Sequence, residues 1–247
     1  MNWAVLLLTT MAAGGIIYWL LVLSEGVYLG NRVVVALYDW SAASYDAIKG
    51  VLVHEDGIHL ARPLLEALQR VPAAGAGDTG RAPLVLDVAT GTGRLPQALL
   101  RQWDFNGRIV GLDASRRMLA IAQTKTRAHC QRVAWIREDA MTLPFRGGIF
   151  HAVTCIEALE FLPGPEQALA EMVRVLRPGG QLLLSNRVGK DALFLPGRAY
   201  PPAALEKKLE ALGLTNVRTR RWQTHYDLID ACKPTEEPRG NHREFVA

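Results

Sequence analysis

The stretch from Leu84 to Arg94 constrains the fold of this 247-residue chain more than any other. An apolar run, Leu84 to Leu86, ends at Asp87, and a turn of small residues with two glycines follows. The run is typical of a strand buried on both faces of a parallel sheet. Glycines let the backbone turn sharply and come close to a ligand. Because residues 95–102 predict a helix whose free amide ends face this turn, the segment indicates a nucleoside-binding site.

Two classes of ligand use a turn of this kind, and the residue types separate them. A dinucleotide fingerprint needs three glycines in the pattern G-x-G-x-x-G, so that helix amides receive a pyrophosphate. In this chain Gly91 and Gly93 occupy the first two positions and Pro96 occupies the third. The negative charge of Asp87 also favours a ligand with an ammonium or sulfonium group over a phosphate. A nucleotide-dependent oxidoreductase is therefore the less favoured alternative.

The residues from Asp87 to Gly93 resemble the first motif of the class I S-adenosylmethionine-dependent methyltransferases. The resemblance implies that S-adenosyl-L-methionine is the cofactor and that this turn binds it. The family usually has glycine at the position of Ala89, and alanine is the next smallest residue. The candidate cofactor-binding residues of this motif are Asp87, Ala89, Gly91, Thr92 and Gly93.

Two further acidic motifs follow at the spacing of this fold. A second apolar run, Arg108 to Leu112, ends at Asp113, whose carboxylate can accept hydrogen bonds from both vicinal ribose hydroxyls. Asp113 could instead cap a helix predicted at residues 115–128, and the two roles are compatible. A third strand is predicted at residues 133–136, and the resemblance implies that Asp139 after it accepts from the adenine amino group. Ala114 and Ala140, which follow the two acids, complete the predicted cofactor site.

The second half of the chain alternates strand and helix patterns in the same way. The predicted elements are a strand at 150–155, a helix at 164–176 closed by the arginine-proline-glycine-glycine turn at 177–180, and a strand at 181–185. Segments 205–212, 217–222 and 226–231 are expected to complete the sheet, the last as an antiparallel strand at one edge. The fold class is therefore α/β, a Rossmann-like doubly wound seven-stranded sheet, with an N-terminal transmembrane helix. The resemblance spans roughly residues 35 to 235.

The amino end carries the other strong feature. Trp3 to Leu23 contains no charged residue, and 21 helical residues, at about 1.5 Å each, cross a hydrocarbon layer of roughly 30 Å. A secretory signal peptide is the competing interpretation, but a basic start and a small-x-small cleavage site are missing. An interfacial or re-entrant helix is also open. We predict an anchor at residues 1–24, a juxtamembrane and lid-like segment at 25–60, and a methyltransferase domain at 61–247.

Charge and cysteine content bear on location. Arg32 and Lys49 follow the apolar stretch and no basic residue precedes it, so we expect a single-pass membrane protein with its catalytic domain in the cytoplasm. Three cysteines without a pattern indicate reduced thiols and no metal site. The net charge of +4 favours contact with anionic membranes. Nucleic acid is not expected as a partner, because no basic motif interleaved with aromatic residues is present.

Two Tyr-Asp pairs, Tyr38-Asp39 and Tyr45-Asp46, precede the domain. The segment is similar to the lid of many small-molecule and lipid methyltransferases. An amphipathic helix that packs on the domain or the membrane is the alternative. The segment at residues 73–81 is rich in Ala and Gly and predicts a flexible surface loop.

The catalytic residues stay unknown at this level. Residues 154–160 lack the Asn or Asp followed by Pro-Pro-aromatic that amino-group methylases of nucleic acids carry. The candidate general bases are Glu157, His54, His59 and His225, with none favoured, and His151 is expected to be exposed.

The sequence thus predicts a methyltransferase that acts on a small or lipidic acceptor at a membrane, either a quinol or an amino-headgroup lipid. A membrane-tethered protein that binds S-adenosylmethionine without turnover is the alternative. The sequence does not indicate an oligomeric state.

Overall fold

The computed structural model describes residues 2–70 and 82–235, so the loop predicted at residues 73–81 lies outside the described residues. Within the described part, seven strands form one sheet in the order β3-β2-β1-β4-β5-β7-β6. The strands are β1 (Leu84–Val88), β2 (Arg108–Asp113), β3 (Val133–Arg137), β4 (Phe150–Cys155), β5 (Leu176–Arg187), β6 (Thr215–Arg221) and β7 (Tyr226–Cys232). Strands β1 to β5 run parallel, and β7 pairs antiparallel with both β5 and β6.

Nine α-helices accompany the sheet in the described ranges. They are α1 (Trp3–Tyr18), α2 (Asn31–Ser41), α3 (Tyr45–Lys49), α4 (Val53–Asp56), α5 (Arg62–Arg70), α6 (Arg94–Leu100), α7 (Arg116–Lys125), α8 (Pro165–Val175) and α9 (Pro202–Ala211). Side chains on successive residues of a strand point to opposite faces of the sheet. Accordingly Val85 packs with α5 and α6 on one face, and Leu86 packs with α8 and α9 on the other. The predicted α/β sheet of seven strands is confirmed.

Three details of the prediction are wrong. Residues 205–212 are not part of the sheet, because they fall in α9 and the turn after it, where Leu205 and Leu209 are buried against the sheet. The edge strand is β6, and β7 lies inside it. The turn at 177–180 lies within β5, where Gly179 takes a left-handed φ of +74° and the pairing with β4 shifts register. A bulge there lets the chain leave α8 and enter the sheet without a separate loop.

The amino-terminal helix leaves the body of the molecule. It continues through a widened turn at Trp19–Leu23, giving 21 residues with a mean hydropathy of 2.1, none of them buried. Its length and composition fit a membrane span, and a signal sequence would meet the same criteria. Two residues with positive φ, Glu25 and Gly26, then turn the chain back toward the sheet.

The order of strands changes direction between β1 and β4. Strands β2 and β3 continue on one side of β1, whereas β4 and β5 continue on the other. Connections from the two neighbouring strands therefore diverge, and a crevice opens at their carboxyl ends. This position is where open α/β sheets bind ligands.

Candidate functional site

The crevice at the carboxyl ends of the strands is a cleft of about 980 Å³ that is partly open to solvent. Eight of the nine predicted cofactor residues line it: Asp87, Ala89, Gly91, Thr92, Asp113, Ala114, Asp139 and Ala140. The structure therefore brings together residues that lie up to about 50 positions apart in the chain.

The ninth, Gly93, lies behind the cleft. A Cβ atom at this position would come within 3.0 Å of both the Ala122 side chain and the Trp135 ring, so the glycine permits close packing of the turn against α7 and β3. Along the turn, Ala89, Gly91 and Gly93 all have positive φ, at 52°, 55° and 78°. Alanine at position 89 therefore bears a left-handed conformation that glycine adopts without strain.

Asp87 ends β1 at the floor of the cleft. Its two carboxylate oxygens accept hydrogen bonds from the hydroxyls of Thr90 (2.6 Å) and Thr154 (2.6 Å). Burial raises the pKa of Asp87 to about 6, against the lowering effect of these two hydrogen bonds. A buried carboxylate held by neutral donors retains its negative charge for a cationic ligand.

Asp113 ends β2 and is tied to the glycine turn. The backbone N–H of Gly91 donates to one of its oxygens (2.7 Å), and the N–H of Ser115 donates to the other (2.8 Å). Burial also raises the pKa of Asp113. The cap of α7 is Ser115, whose hydroxyl accepts from the Met118 N–H at 3.1 Å. The helix-capping role considered for Asp113 thus belongs to Ser115, and each Asp113 oxygen keeps a second acceptor position.

Asp139 follows β3, which lies two strands away from the strand of Asp87 in the sheet. One of its oxygens accepts from the Met141 N–H (3.0 Å), which fixes the carboxylate at the rim. Its neighbours Glu138 and Ala140 also line the cleft. The three predicted acids therefore lie along one wall, in the order of strands β1, β2 and β3.

The two Tyr-Asp pairs lie over this wall, with their two side-chain types in different roles. Tyr38 and Tyr45 line the cleft, with ring centroids 5.9 Å apart. Asp39 accepts from the Ser115 hydroxyl (2.6 Å) and the Arg117 N–H (3.1 Å). Asp46 accepts from the Thr92 hydroxyl (2.6 Å) and forms an ion pair with Lys125. The tyrosine rings thus lie over the cleft. The aspartates attach residues 31–49, which we call the cover, to α7 and to the glycine turn.

A buried ionic network borders the cleft at the start of α6, where Arg94 and Glu157 line it. Arg94 at the start of α6 makes a bidentate pair with Asp56 (2.7 Å each) and also contacts Glu157 (2.5 Å). Its guanidinium lies 5.0 Å from the centre of the Trp222 ring. Burial raises the pKa of Asp56, while Asp56 and Glu157 together raise that of Arg94. Glu157 has a positive φ of 53°, a strained conformation that is concentrated at functional sites.

Of the four candidate bases, Glu157 lines the cleft. His59 pairs with Glu55 (3.4 Å) and His225 pairs with Asp191 (3.1 Å), both half exposed and outside it. His54 lies in a separate surface depression beside α6. The expectation that His151 is exposed is wrong, because its Nδ1 accepts from the Leu84 N–H (3.1 Å) where β1 and β4 pair, and the residue is half-buried.

The charges that line the cleft are unequal. Five carboxylates face it, those of Asp87, Asp113, Glu138, Asp139 and Glu157, against the single guanidinium of Arg94. This excess of negatively charged acceptors fits a ligand that carries positive charge together with hydroxyl and amino donors, as S-adenosylmethionine does. An added Cβ at Gly91 would meet nothing within 4 Å, so the backbone there is open to a ligand. Sequence reasoning missed Arg94 and Asp56, since no local pattern pairs residues 38 positions apart.

Comparisons with known proteins find similarity to methyltransferases. The sequence profile of a family described as "Methyltransferase domain" matches residues 85–180. A demethylmenaquinone methyltransferase of Lactiplantibacillus plantarum is 34% identical over 158 residues, covering 63% of this chain and 62% of the relative. A second, from Thermus thermophilus, is 41% identical over 100 residues, covering 40% and 45%. The chain thus spans about half the length of these curated relatives.

The solved structures confirm the architecture. A crystal structure of a SAM-dependent methyltransferase from Aquifex aeolicus superposes with a TM-score of 0.56 at 18% identity, covering 74% of this chain and 95% of that chain. This likeness establishes the fold. Residues 85–180 are in addition similar to the methyltransferase domain family.

Proposed function

We propose that the protein is an active methyltransferase that methylates the ring of a lipid-soluble quinol at the surface of a membrane. The observation that carries the proposal is the cleft at the carboxyl ends of β1 and β2, where buried acids meet an aromatic cover. The names of the relatives, both demethylmenaquinone methyltransferases, favour a quinol over an amino-headgroup lipid as the acceptor.

In this proposal each predicted residue has a defined role toward the cofactor. Asp113 accepts from the ribose hydroxyls with the lone pairs that Gly91 and Ser115 leave open. Asp139 and Ala140 form the adenine end, and Asp87 attracts the positively charged amino-acid end. Ala89, Thr92 and Ala114 shape the wall between them. When bound, S-adenosylmethionine supplies a methyl group made electrophilic by the attached sulfonium.

Other residues of the cleft position the acceptor and accept its proton. Tyr38, Tyr45 and Phe161 present aromatic rings to it, which exclude water and stack against a flat quinol ring. Positioning of this kind can lower the barrier by several kcal/mol. Glu157 is the titratable group on the acceptor side and takes up the proton that the quinol loses. Its contact with Arg94 at 2.5 Å holds its carboxylate in place.

We also propose that Trp3–Leu23 anchors the protein in a membrane with the domain on the cytoplasmic side. The exposed apolar surface of the helix supports an anchor, and so do the basic residues that follow it. An anchored domain encounters acceptors that partition into the bilayer.

The first experiment is calorimetry on the full-length protein in detergent with S-adenosylmethionine and with NAD. We expect heat with the former alone. Asp113→Ala should weaken the affinity by roughly 1.5–3 kcal/mol, because a buried acceptor of two hydroxyls is lost. Asp230→Ala, on β7 and away from the cleft, is the matched control. Unchanged affinity in Asp113→Ala would reject the ribose role.

The second experiment follows the methyl group. The protein is incubated with methyl-labelled S-adenosylmethionine and total membrane lipid extract containing a reduced demethylated naphthoquinone, and products are identified by mass spectrometry. Label in the quinol fraction is expected. Label in the phospholipid fraction would overturn the quinol assignment, and cofactor binding without labelled product would identify a binding protein.

A further inference from the structure

An exposed apolar patch lies beside the end of the amino-terminal helix. It consists of Leu29, Leu193 and Phe194, whose exposed fractions are 44%, 78% and 39%. Leu29 ends the short helical turn Val27–Leu29, and the other two end the short helix Gly189–Phe194. We call these three residues the apolar patch. Large apolar side chains grouped at a surface usually mark an interaction site.

The patch is fixed to the helix by specific contacts. The Trp19 indole N–H donates to the carbonyl of Phe194 (3.1 Å), and its ring stacks on Tyr28 with centroids 5.0 Å apart. The Tyr28 hydroxyl donates to the carbonyl of Pro196 (2.8 Å). The patch and the last turns of the helix are therefore held at one level along the helix axis.

That level can be estimated from the helix geometry. Trp19 lies four residues before Leu23, which is about 6 Å along the axis. A helix of 21 residues is about as long as the hydrocarbon layer is thick, roughly 30 Å, so Leu23 reaches the boundary of that layer. Phe194, bonded to Trp19, then lies at or just inside the boundary. The Trp19 donor satisfies its carbonyl there, where water is scarce.

The same segment also borders the cleft. Leu195 is buried in a cluster with Val27, Val34 and Phe161, and the last two line the cleft. Arg198 donates to the carbonyl of Leu162, a further lining residue, at 2.8 Å. Leu195, which follows Phe194 in the chain, therefore belongs to an apolar cluster that reaches the cleft through Val34 and Phe161.

We propose that the apolar patch inserts into the bilayer and that the acceptor reaches the cleft along it, its ring in the cleft and its apolar tail in the lipid. The occupant of the patch is thus the membrane itself, and the substrate class is an amphiphile with a flat polar head and a long tail. The membrane contact rests on the anchor, and the substrate class rests on the function proposed above. Lys190, exposed in the same short helix, lies where it can contact anionic headgroups.

A depth measurement tests the membrane contact without using activity. Full-length protein with Cys130→Ser, which removes the exposed thiol, receives a nitroxide at Leu193→Cys and is placed in vesicles of phosphatidylcholine and phosphatidylglycerol. We expect the label to relax faster with oxygen, which concentrates in lipid, than with a water-soluble nickel complex. Trp103→Cys is the control, because Trp103 is 90% exposed in the loop before β2, and β1 and β4 lie between β2 and β5 in the sheet. A label at Leu193 as accessible to nickel as the one at Trp103 would overturn the insertion.

Kinetics then test the access route. The double variant Leu193→Ser with Phe194→Ser should raise KM for a long-tailed quinol about tenfold and leave KM for a short-tailed, water-soluble analogue unchanged. Both side chains are exposed, so circular dichroism should match the parent protein. Equal effects on both substrates would reject the route while leaving the methyltransferase function intact. If no quinol is methylated at all, the depth measurement still decides whether the patch enters the bilayer.

Discussion

The sheet and the segment that covers its cleft are held by different kinds of interaction. The central strands consist of almost fully buried apolar side chains, among them Leu86, Leu112 and Val153. The cover, residues 31–49, contributes few buried side chains, of which Val34 and Ala42 are examples. It is fastened instead by Asp39 and Asp46, each of which bonds to groups at the ends of α7 or to the glycine turn.

Because of this difference, the free energy of unfolding and the affinity for a ligand depend on different regions of the molecule. Burial of apolar surface is the largest favourable contribution to folding, so the sheet determines the free energy of unfolding. Partly exposed ion pairs contribute little to that free energy, so the cover can open at small cost. A cofactor and an acceptor that must enter and leave need such an opening. Substitutions in the two regions should therefore give separable results.

The network around Arg94 joins the glycine turn to α4 and to the end of β4, outside the cover, and it should give the largest effect. Arg94→Ala leaves the buried carboxylates of Asp56 and Glu157 without their partner, so we expect a loss of roughly 3–5 kcal/mol in the free energy of unfolding. Urea unfolding in detergent measures it. Arg70→Ala, which removes a largely exposed pair with Glu66, is the control and should cost under about 1 kcal/mol. Equal effects in the two variants would show that the network is not structural.

Gly111→Ala, which overpacks the sheet, should give the second largest loss of stability. A Cβ atom at Gly111 would lie 2.3 Å from the Trp135 ring, so Gly111→Ala forces the ring or β2 to move, at a cost of roughly 1–3 kcal/mol. Gly14→Ala in α1 would meet nothing within 4 Å and serves as the control. Thermal unfolding by circular dichroism should show a lower Tm in the first variant and no loss in the second. A normal Tm in Gly111→Ala would mean that Trp135 is free to relocate.

The pH dependence of Asp87 distinguishes its two roles. Its pKa of about 6 in the folded protein exceeds the ordinary value of 3.8, so the native state binds the proton more tightly than the unfolded chain. The contribution of Asp87 to stability is therefore greatest below about pH 4 and is lost as pH rises to about 6.

Cofactor affinity should change in the opposite direction, because a cation is attracted to the ionised form. We expect binding of S-adenosylmethionine to be about tenfold weaker at pH 5 than at pH 7, since Asp87 is then mostly protonated. Asp113 also has a raised pKa, so Asp87→Asn is needed to isolate the effect. Calorimetry across this range should show a flatter pH profile in the variant. An identical slope would assign the pH dependence to another group.

Removal of the two aspartates that attach the cover should give the smallest effect. The double variant Asp39→Ala with Asp46→Ala should weaken cofactor affinity by about 1 kcal/mol, roughly fivefold, while Tm changes little. Glu166→Ala removes a pair with Lys208, neither of which lines the cleft, and should change neither quantity. A large fall in Tm in the double variant would show that the cover belongs to the folding core.

The sequence predicted the elements of the sheet region well, since β4 was placed at its observed bounds and β1 to β3 within one or two residues. Buried parallel strands give uninterrupted apolar runs, and their ends carry the acids and glycines that a ligand requires. Size alone explains only part of the preference for glycine at this turn. The φ of 52° at Ala89 shows that backbone conformation is also involved.

The errors lie where long-range pairing decides the outcome. Segment 205–212 is an exception, because Leu205, Leu209 and Leu212 recur at the spacing of a helix, and the helix Pro202–Ala211 follows that local pattern. The bulge at 177–180 depends on the register with β4, which no local pattern encodes. The order of β6 and β7 likewise depends on which strand β5 accepts as its neighbour.

By itself, the sequence determined the class of fold and eight residues that line one cleft, because strand ends and glycine turns are local and their order along the chain is fixed. The tertiary structure alone decided what faces those residues. It paired Arg94 with Asp56, seated Tyr38 and Tyr45 over the cleft, and joined Trp19 to Phe194 across 175 positions. Such contacts depend on shape and burial summed over the whole molecule, and a linear pattern does not contain them.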